Sequence, residues 1–159
     1  MKKQSKQTNT NSRIVAQNKR AKRDFEIWES IEAGIALKGT EIKAIRAGKV
    51  SFKDCYVDFR QGEAYLSGLY IGHYENSGYS THDPERERKL LLHKREIEKL
   101  RGKSEQKGMT VVPTRIYLKD AKAKVEIALA RGKRVHDRRE ELKQRTIKRE
   151  TEREMAKYK

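Results

Sequence analysis

The stretch CYVDFRQGEAYLSGLYI (55–71) decides how the fold is read. Its two halves are rich in aromatic and apolar residues, and Arg60-Gln61-Gly62-Glu63 breaks them apart. A polar, Gly-bearing break between two such runs predicts a hairpin, with strands over 55–60 and 64–71. In the second strand Ala64, Leu66, Gly68 and Tyr70 alternate with Tyr65, Ser67, Leu69 and Ile71. Both sets are largely apolar, which predicts a strand covered on both faces.

Outward from this hairpin, the N-terminal side continues the β pattern. FEIWESI (25–31) reads as a strand that runs on past a bend at Gly34. In KGTEIKAIRAGK (38–49), Thr40 is a good N-cap, Ile42 and Ile45 lie three apart, and Gly48 suits the position after a helix. A short helix of about two turns is expected there. On the C-terminal side, residues 72–82 are a polar loop, and HDPERERKLLLHKREIEKL (82–100) reads as a helix over 84–100. Asp83 would cap it, with Pro84 at its first position and Glu85 in its first turn. Leu90, His93, Ile97 and Leu100 form one stripe at helical spacing. Residues 109–118 and 123–130 are two more strands around Lys119-Asp120-Ala121-Lys122, and Pro113 requires an edge or a bulge in the first. These elements predict a mainly β chain: an OB-like antiparallel β-barrel with two or three added helices and a basic C-terminal tail, in a family of barrels that commonly binds nucleic acid.

The charge distribution points the same way. The net charge is +16. Residues 1–23 hold eight Lys/Arg and no acid, and residues 131–159 hold twelve Lys/Arg against six acids. A nearly neutral body thus carries two basic arms, the footprint of a protein that binds a polyanion. An anionic membrane surface would need an amphipathic basic helix with an apolar face, which neither arm offers. No apolar run reaches the length of a membrane span. The N-terminus is basic without an apolar segment after it, so it is not expected to be a secretory signal. The single cysteine, Cys55, allows no internal disulfide and suits a reducing cytosol.

Both termini are expected to be unfolded in the free chain. Residues 1–17 are polar and without periodicity. In residues 133–159 strong helix formers and opposed-charge pairs such as Glu141 with Arg145 favour a helix, but Leu142, Ile147 and Met155 spread around the wheel. Burying three such side chains yields roughly 5–9 kcal/mol. Ordering more than twenty residues costs about 1–2 kcal/mol each in backbone entropy. The tail is therefore predicted to be disordered alone and helical against a partner. This divides the chain into a basic arm (1–17), a barrel (18–132) and a tail (133–159).

The three leucines beside Arg88 and Lys89 raise a further question. On a helix they point in directions about 100° apart, so they cannot all enter one groove. Either a wide apolar face is wedged between barrel and loop, or Leu91 is presented outward among cations, where charge meets phosphate and the apolar group meets a base or ribose.

Four segments resemble the SsrA-binding protein (small protein B) family: EAGIALKGTEIKAIRAGK (32–49), HDPERERKLLLHKREI (82–97), KVEIALARGKRVHDRR (124–139) and the basic tail. The resemblance runs from Asn18 to the C-terminus. It implies an OB-fold barrel that binds the tRNA-like domain of transfer-messenger RNA and accompanies it to ribosomes stalled on messages without a stop codon. It also implies that the tail becomes helical in the empty mRNA channel, against small-subunit RNA near the decoding site. The resemblance implies RNA contacts at Asn18, Lys19, Arg20, Glu32, Leu91 and Lys124. Arg86, Arg88 and Lys89 suit phosphate contact or a solvated helix face. Gly132, Lys133, Arg134, His136, Asp137, Arg138 and Arg139 would mark the approach to the decoding site, where the family usually shows Asp-Lys-Arg and this chain has Asp-Arg-Arg. Met155 is a candidate contact in the channel. Glu41 reads as a first-turn helix acid only.

Catalysis is not expected. His73, His82, His93 and His136 lack metal-ligand spacing, Cys55 has no evident partner, and there is no P-loop or dinucleotide glycine pattern. No cofactor, metal, membrane or small-molecule substrate is implied, and the free chain is expected to be a monomer. The competing reading is a structural rRNA-binding ribosomal protein.

Overall fold

A computed structural model of the chain describes residues 12–75 and 82–158, apart from the side chains of Val135 and His136. The chain order is β1 (Ser12–Gln17), α1 (Lys19–Asp24), β2 (Phe25–Ile35), α2 (Gly39–Arg46), β3 (Val50–Arg60), β4 (Glu63–Ile71), β5 (Arg88–Leu91), α3 (Lys94–Lys107), β6 (Thr110–Lys119), β7 (Lys122–Gly132) and α4 (Val135–Lys157). The seven strands form one antiparallel sheet in the order β1-β6-β7-β2-β5-β4-β3. β3 comes back against β6 and β1, so the sheet curls into a barrel of the expected kind.

Two-residue turns close both long hairpins. Arg60 pairs with Glu63 across Gln61-Gly62, and Lys119 pairs with Lys122 across Asp120-Ala121. All four turn residues have positive φ, as a type I′ turn requires, because its twist matches that of the flanking strands. Bulges interrupt the ladders and supply the curvature. One lies at Pro113–Arg115, where the missing N–H of Pro113 predicts it. Another lies in β3 between Phe52 and Tyr56, opposite Gly68. Gly68 has φ +84°, and a Cβ there would meet Asp54 O at 2.6 Å. This corrects the expectation of a β4 buried on both faces. Ala64 and Leu66 point inward, the phase slips at Ser67-Gly68, and Leu69 and Ile71 point inward again.

The core is the barrel interior, with Leu66, Leu69, Ile71, Leu90, Ile116, Val125 and Ile127 fully buried. Two helices plug it: α2 through Ala44 and Ile45, α3 through Ile97 and Leu100.

Three further expectations are corrected. Ser12–Gln17 is a strand paired with β6, not part of an unfolded arm; residues 1–11 lie outside the described residues. Residues 84–100 are not one helix. Arg88–Leu91 is a strand between β2 and β4, and α3 starts only at Lys94 and runs to Lys107. The tail is helical from Val135 to Lys157. Its first turns are pinned to the body: Lys133 Nζ donates to Glu141 Oε2 at 2.6 Å and Arg138 pairs with Asp24 at 3.4 Å. Beyond them Leu142, Ile147, Met155 and Tyr158 are all at least half exposed, so intrahelical bonding rather than docking carries this helix. No helix among the described residues is long and apolar enough to cross a membrane.

Candidate nucleic-acid interface

The run Arg88-Lys89-Leu90-Leu91 obeys the two-residue period of a strand. Arg88 and Leu90 are buried and Lys89 and Leu91 are exposed. Leu91 is thus turned outward beside a lysine, while its neighbour Leu90 fills the core. Gly34 of β2 pairs with Leu91 on one side and Lys124 on the other. Having no side chain, Gly34 lets Leu91 lie across it; a Cβ there would be 3.1 Å from Leu91 Cβ.

These residues line an open groove of about 550 Å³ on the outer face of the sheet. Its floor and walls come from Glu32 and Gly34 of β2, Lys89 and Leu91 of β5, Lys124 of β7 and the first turn of α3, with Glu63 at one side. Lys89 lies 3.5 Å from Glu63, a partly exposed and therefore weak pair. Glu32 is held firmly. Tyr117 Oη donates to Glu32 Oε2, and Lys119 lies 3.6 Å from its other oxygen. The Tyr117 hydrogen bond, then the charges of Lys119 and Lys124, keep the Glu32 carboxyl below its ordinary value. Burial and the Glu32 carboxylate push the Tyr117 phenol far up, so its proton stays in that bond. The result is an aimed carboxylate between lysines and an exposed leucine. Such a set can accept from base amino groups, pair with phosphates and pack on a ribose.

The structure separates the other candidates. Arg88 is corrected: it is fully buried, with Nε on Glu41 Oε2 at 2.5 Å and guanidinium N–H groups on Leu69 O and Pro84 O. Arg86 is drawn the same way, at 2.5 Å from Glu41 Oε1. Glu41, expected to be an ordinary helix acid, is the fully buried centre of this cluster and also accepts from Lys38 N at 2.9 Å. Asn18 is buried; its Nδ2 donates to Pro113 O at 2.8 Å and its Oδ1 accepts from Ala21 N. It positions α1, on which Lys19 and Arg20 are exposed, and these lie apart from the groove. Gly132, Arg134, Asp137 and Arg139 are exposed at the junction with α4, Lys133 and Arg138 are tied to Glu141 and Asp24, and Met155 stands free far along the helix. The His136 side chain lies outside the described residues. Reading the sequence missed Gly34, Tyr117 and Lys119 as parts of the site; only the cross-strand register brings them to it.

Fold and groove together define a small β-barrel with a lysine-lined, partly apolar groove, and a basic helix as a separate element. The model of the SmpB protein family matches residues 15–157. The SsrA-binding protein of Nitratidesulfovibrio vulgaris strain Hildenborough is 55% identical over 145 residues, covering 91% of this chain and 94% of that one. That of Oleidesulfovibrio alaskensis is 51% identical over 97% of this chain and 99% of that one. That of Aquifex aeolicus is 54% identical over 88% and 90%. A solved chain described as "tmRNA-SmpB: a journey to the center of the bacterial ribosome" is 55% identical, with a TM-score of 0.65 over 76% of this chain and 85% of that one. The chain belongs to the SmpB protein family, the SsrA-binding proteins.

Proposed function

We propose that this protein binds the tRNA-like domain of transfer-messenger RNA and brings it to stalled ribosomes for trans-translation. The observation that carries the reading is the convergence of Glu32, Lys89, Leu91 and Lys124 from three strands on one groove, in a chain of this family. Lys19 and Arg20 add phosphate contacts from α1. The body reads RNA by shape, 2′-hydroxyls and unstacked bases. α4 is the second functional element. Its apolar side chains are left for a partner, and beyond Arg138, which is held by Asp24, its cations are exposed. It occupies the vacant mRNA channel, with Gly132 to Arg139 at the decoding site and Met155 deeper in. The protein catalyses nothing, takes no cofactor, and works as a monomer in the cytoplasm.

The test is a titration with the tRNA-like domain against an elongator tRNA and a random duplex at two salt concentrations. Tight binding to the first alone, persisting in higher salt, supports the reading. Equal binding to all three, falling steeply with salt, would mean that the basic arms act alone and would favour the structural ribosomal role.

A further inference from the structure

Trp28 is the chain's one tryptophan. In the β2–β7 ladder Ile27 pairs with Ala130 and Glu29 with Leu129, so Trp28 is the extra residue of a bulge. Bulges re-aim side chains, and this one leaves Trp28 51% exposed. One exposed aromatic ring is ordinary by itself; what sets this one apart is what surrounds it.

The surroundings are cationic. Lys107 Nζ lies 5.1 Å from the ring centroid and the Arg131 guanidinium 5.9 Å. Neither has a carboxylate within ion-pair distance among the described residues. Lys99, Lys103 and Lys107 recur every fourth residue, on one face of α3. The first two clamp Glu29 at 2.8 and 2.6 Å, and their hydrogen bonds hold its carboxyl down to about 2. Of these three lysines, Lys107 is the one with no carboxylate in ion-pair distance among the described residues, and it is the one at Trp28. α3 begins at the groove and ends at Trp28, and β2 links Glu32 to Trp28 over about 13 Å.

We infer that Trp28, with Lys107 and Arg131, is a second RNA contact: a platform on which one unpaired base stacks while the two cations take its flanking phosphates. The ring is half exposed, and Lys107 and Arg131, which both lie over it, have side chains long enough to swing onto phosphates as a base takes the ring face; stacking with cation–π support is how proteins hold unpaired nucleotides. An RNA strand leaving the groove along α3 meets positive charge up to the ring. The inference rests on the groove being an RNA site.

The experiment uses the full chain and the folded tRNA-like domain as probe. Trp28 emission is followed during titration, and affinity is measured separately by filter retention for wild type, Trp28→Ala and Trp28→Phe. Saturable quenching is expected, with Trp28→Ala weakening binding roughly ten-fold or more and Trp28→Phe restoring most of it. The side chain is half exposed, so thermal melting should show both variants folded. Wild-type binding without quenching, or equal affinity of Trp28→Ala, overturns the platform and leaves the groove standing. Absence of wild-type binding, with Glu32→Ala and Lys124→Ala no different, overturns both.

Discussion

Arg88 Nε donates to Glu41 Oε2 at 2.5 Å, and neither side chain has any solvent exposure. The pair joins α2 to β5 across 47 residues of sequence. Glu41→Leu leaves the Arg88 guanidinium buried without its carboxylate, and Arg88→Met leaves Glu41 with Arg86 and the Lys38 N–H alone, so the first should cost about 3–5 kcal/mol and the second less. Glu41→Leu with Arg88→Met should cost clearly less than the two singles summed. Urea unfolding of the four proteins checks this. Additive losses would mean the pair is not coupled.

The same pair sets a pH dependence. Burial raises the Glu41 carboxyl, but the Lys38 N–H and the two guanidiniums outweigh it and hold it below its ordinary value of 4.5. A depressed carboxyl contributes stability that is present above that value and lost as pH falls through the folded one. Wild type should therefore lose stability on acidification below about pH 4.5 more steeply than the Leu/Met double variant, read from urea midpoints across pH.

Tyr117→Phe removes the donor that aims Glu32. The Glu32 carboxyl should move back up toward 4.5, which carbon NMR of the labelled side chain would detect. Affinity for the tRNA-like domain should fall several-fold, with a stability change of about 1 kcal/mol for one hydrogen bond. An unmoved carboxyl would show that the lysines alone hold it.

Gly34→Ala places a Cβ 3.1 Å from Leu91 Cβ. Leu91 Cβ is fixed to its backbone, so β2 and β5 must part slightly to admit the methyl group, at a cost of about 1–3 kcal/mol. RNA affinity should drop along with that of Leu91→Asp. A Gly34→Ala protein that unfolds would mean the strand backbones themselves had no room.

Ala121 sits at φ 63° in the β6–β7 turn, a position that favours glycine. Ala121→Gly should raise stability by about 0.5–1 kcal/mol, the strain relieved less the entropy added. Amide exchange offers a parallel check on α4. Residues 145–157 should exchange far faster than β6 and β7, because no body contact protects them. Slow exchange there would contradict a free-standing helix.

Much of this was legible in the residues. The strands around Gln61-Gly62 follow from apolar alternation and a turn signal, because both are local. Pro113 announced its bulge for the same reason. The basic arms, the absence of an apolar stripe in the tail, and the family segments are also properties of the linear chain. Residues 88–91 were not legible. A four-residue strand that turns an arginine inward runs against the hydrophobic pattern, and Glu41, 47 residues away, with the Leu69 and Pro84 carbonyls, makes it stable. Read alone, three leucines followed by Ile97 and Leu100 fit a helix. The phase slip at Gly68 likewise depends on the backbone of Asp54 approaching from β3. The sequence by itself determined the barrel class, the charged arms and the family. Tertiary structure alone decided which of the neighbouring cations face outward and which are spent inside, that Gly34 lies under Leu91 and Tyr117 holds Glu32, and that Trp28 is turned to the surface. Cross-strand register and the desolvation of a charge depend on groups far apart in the chain, so no local pattern carries them.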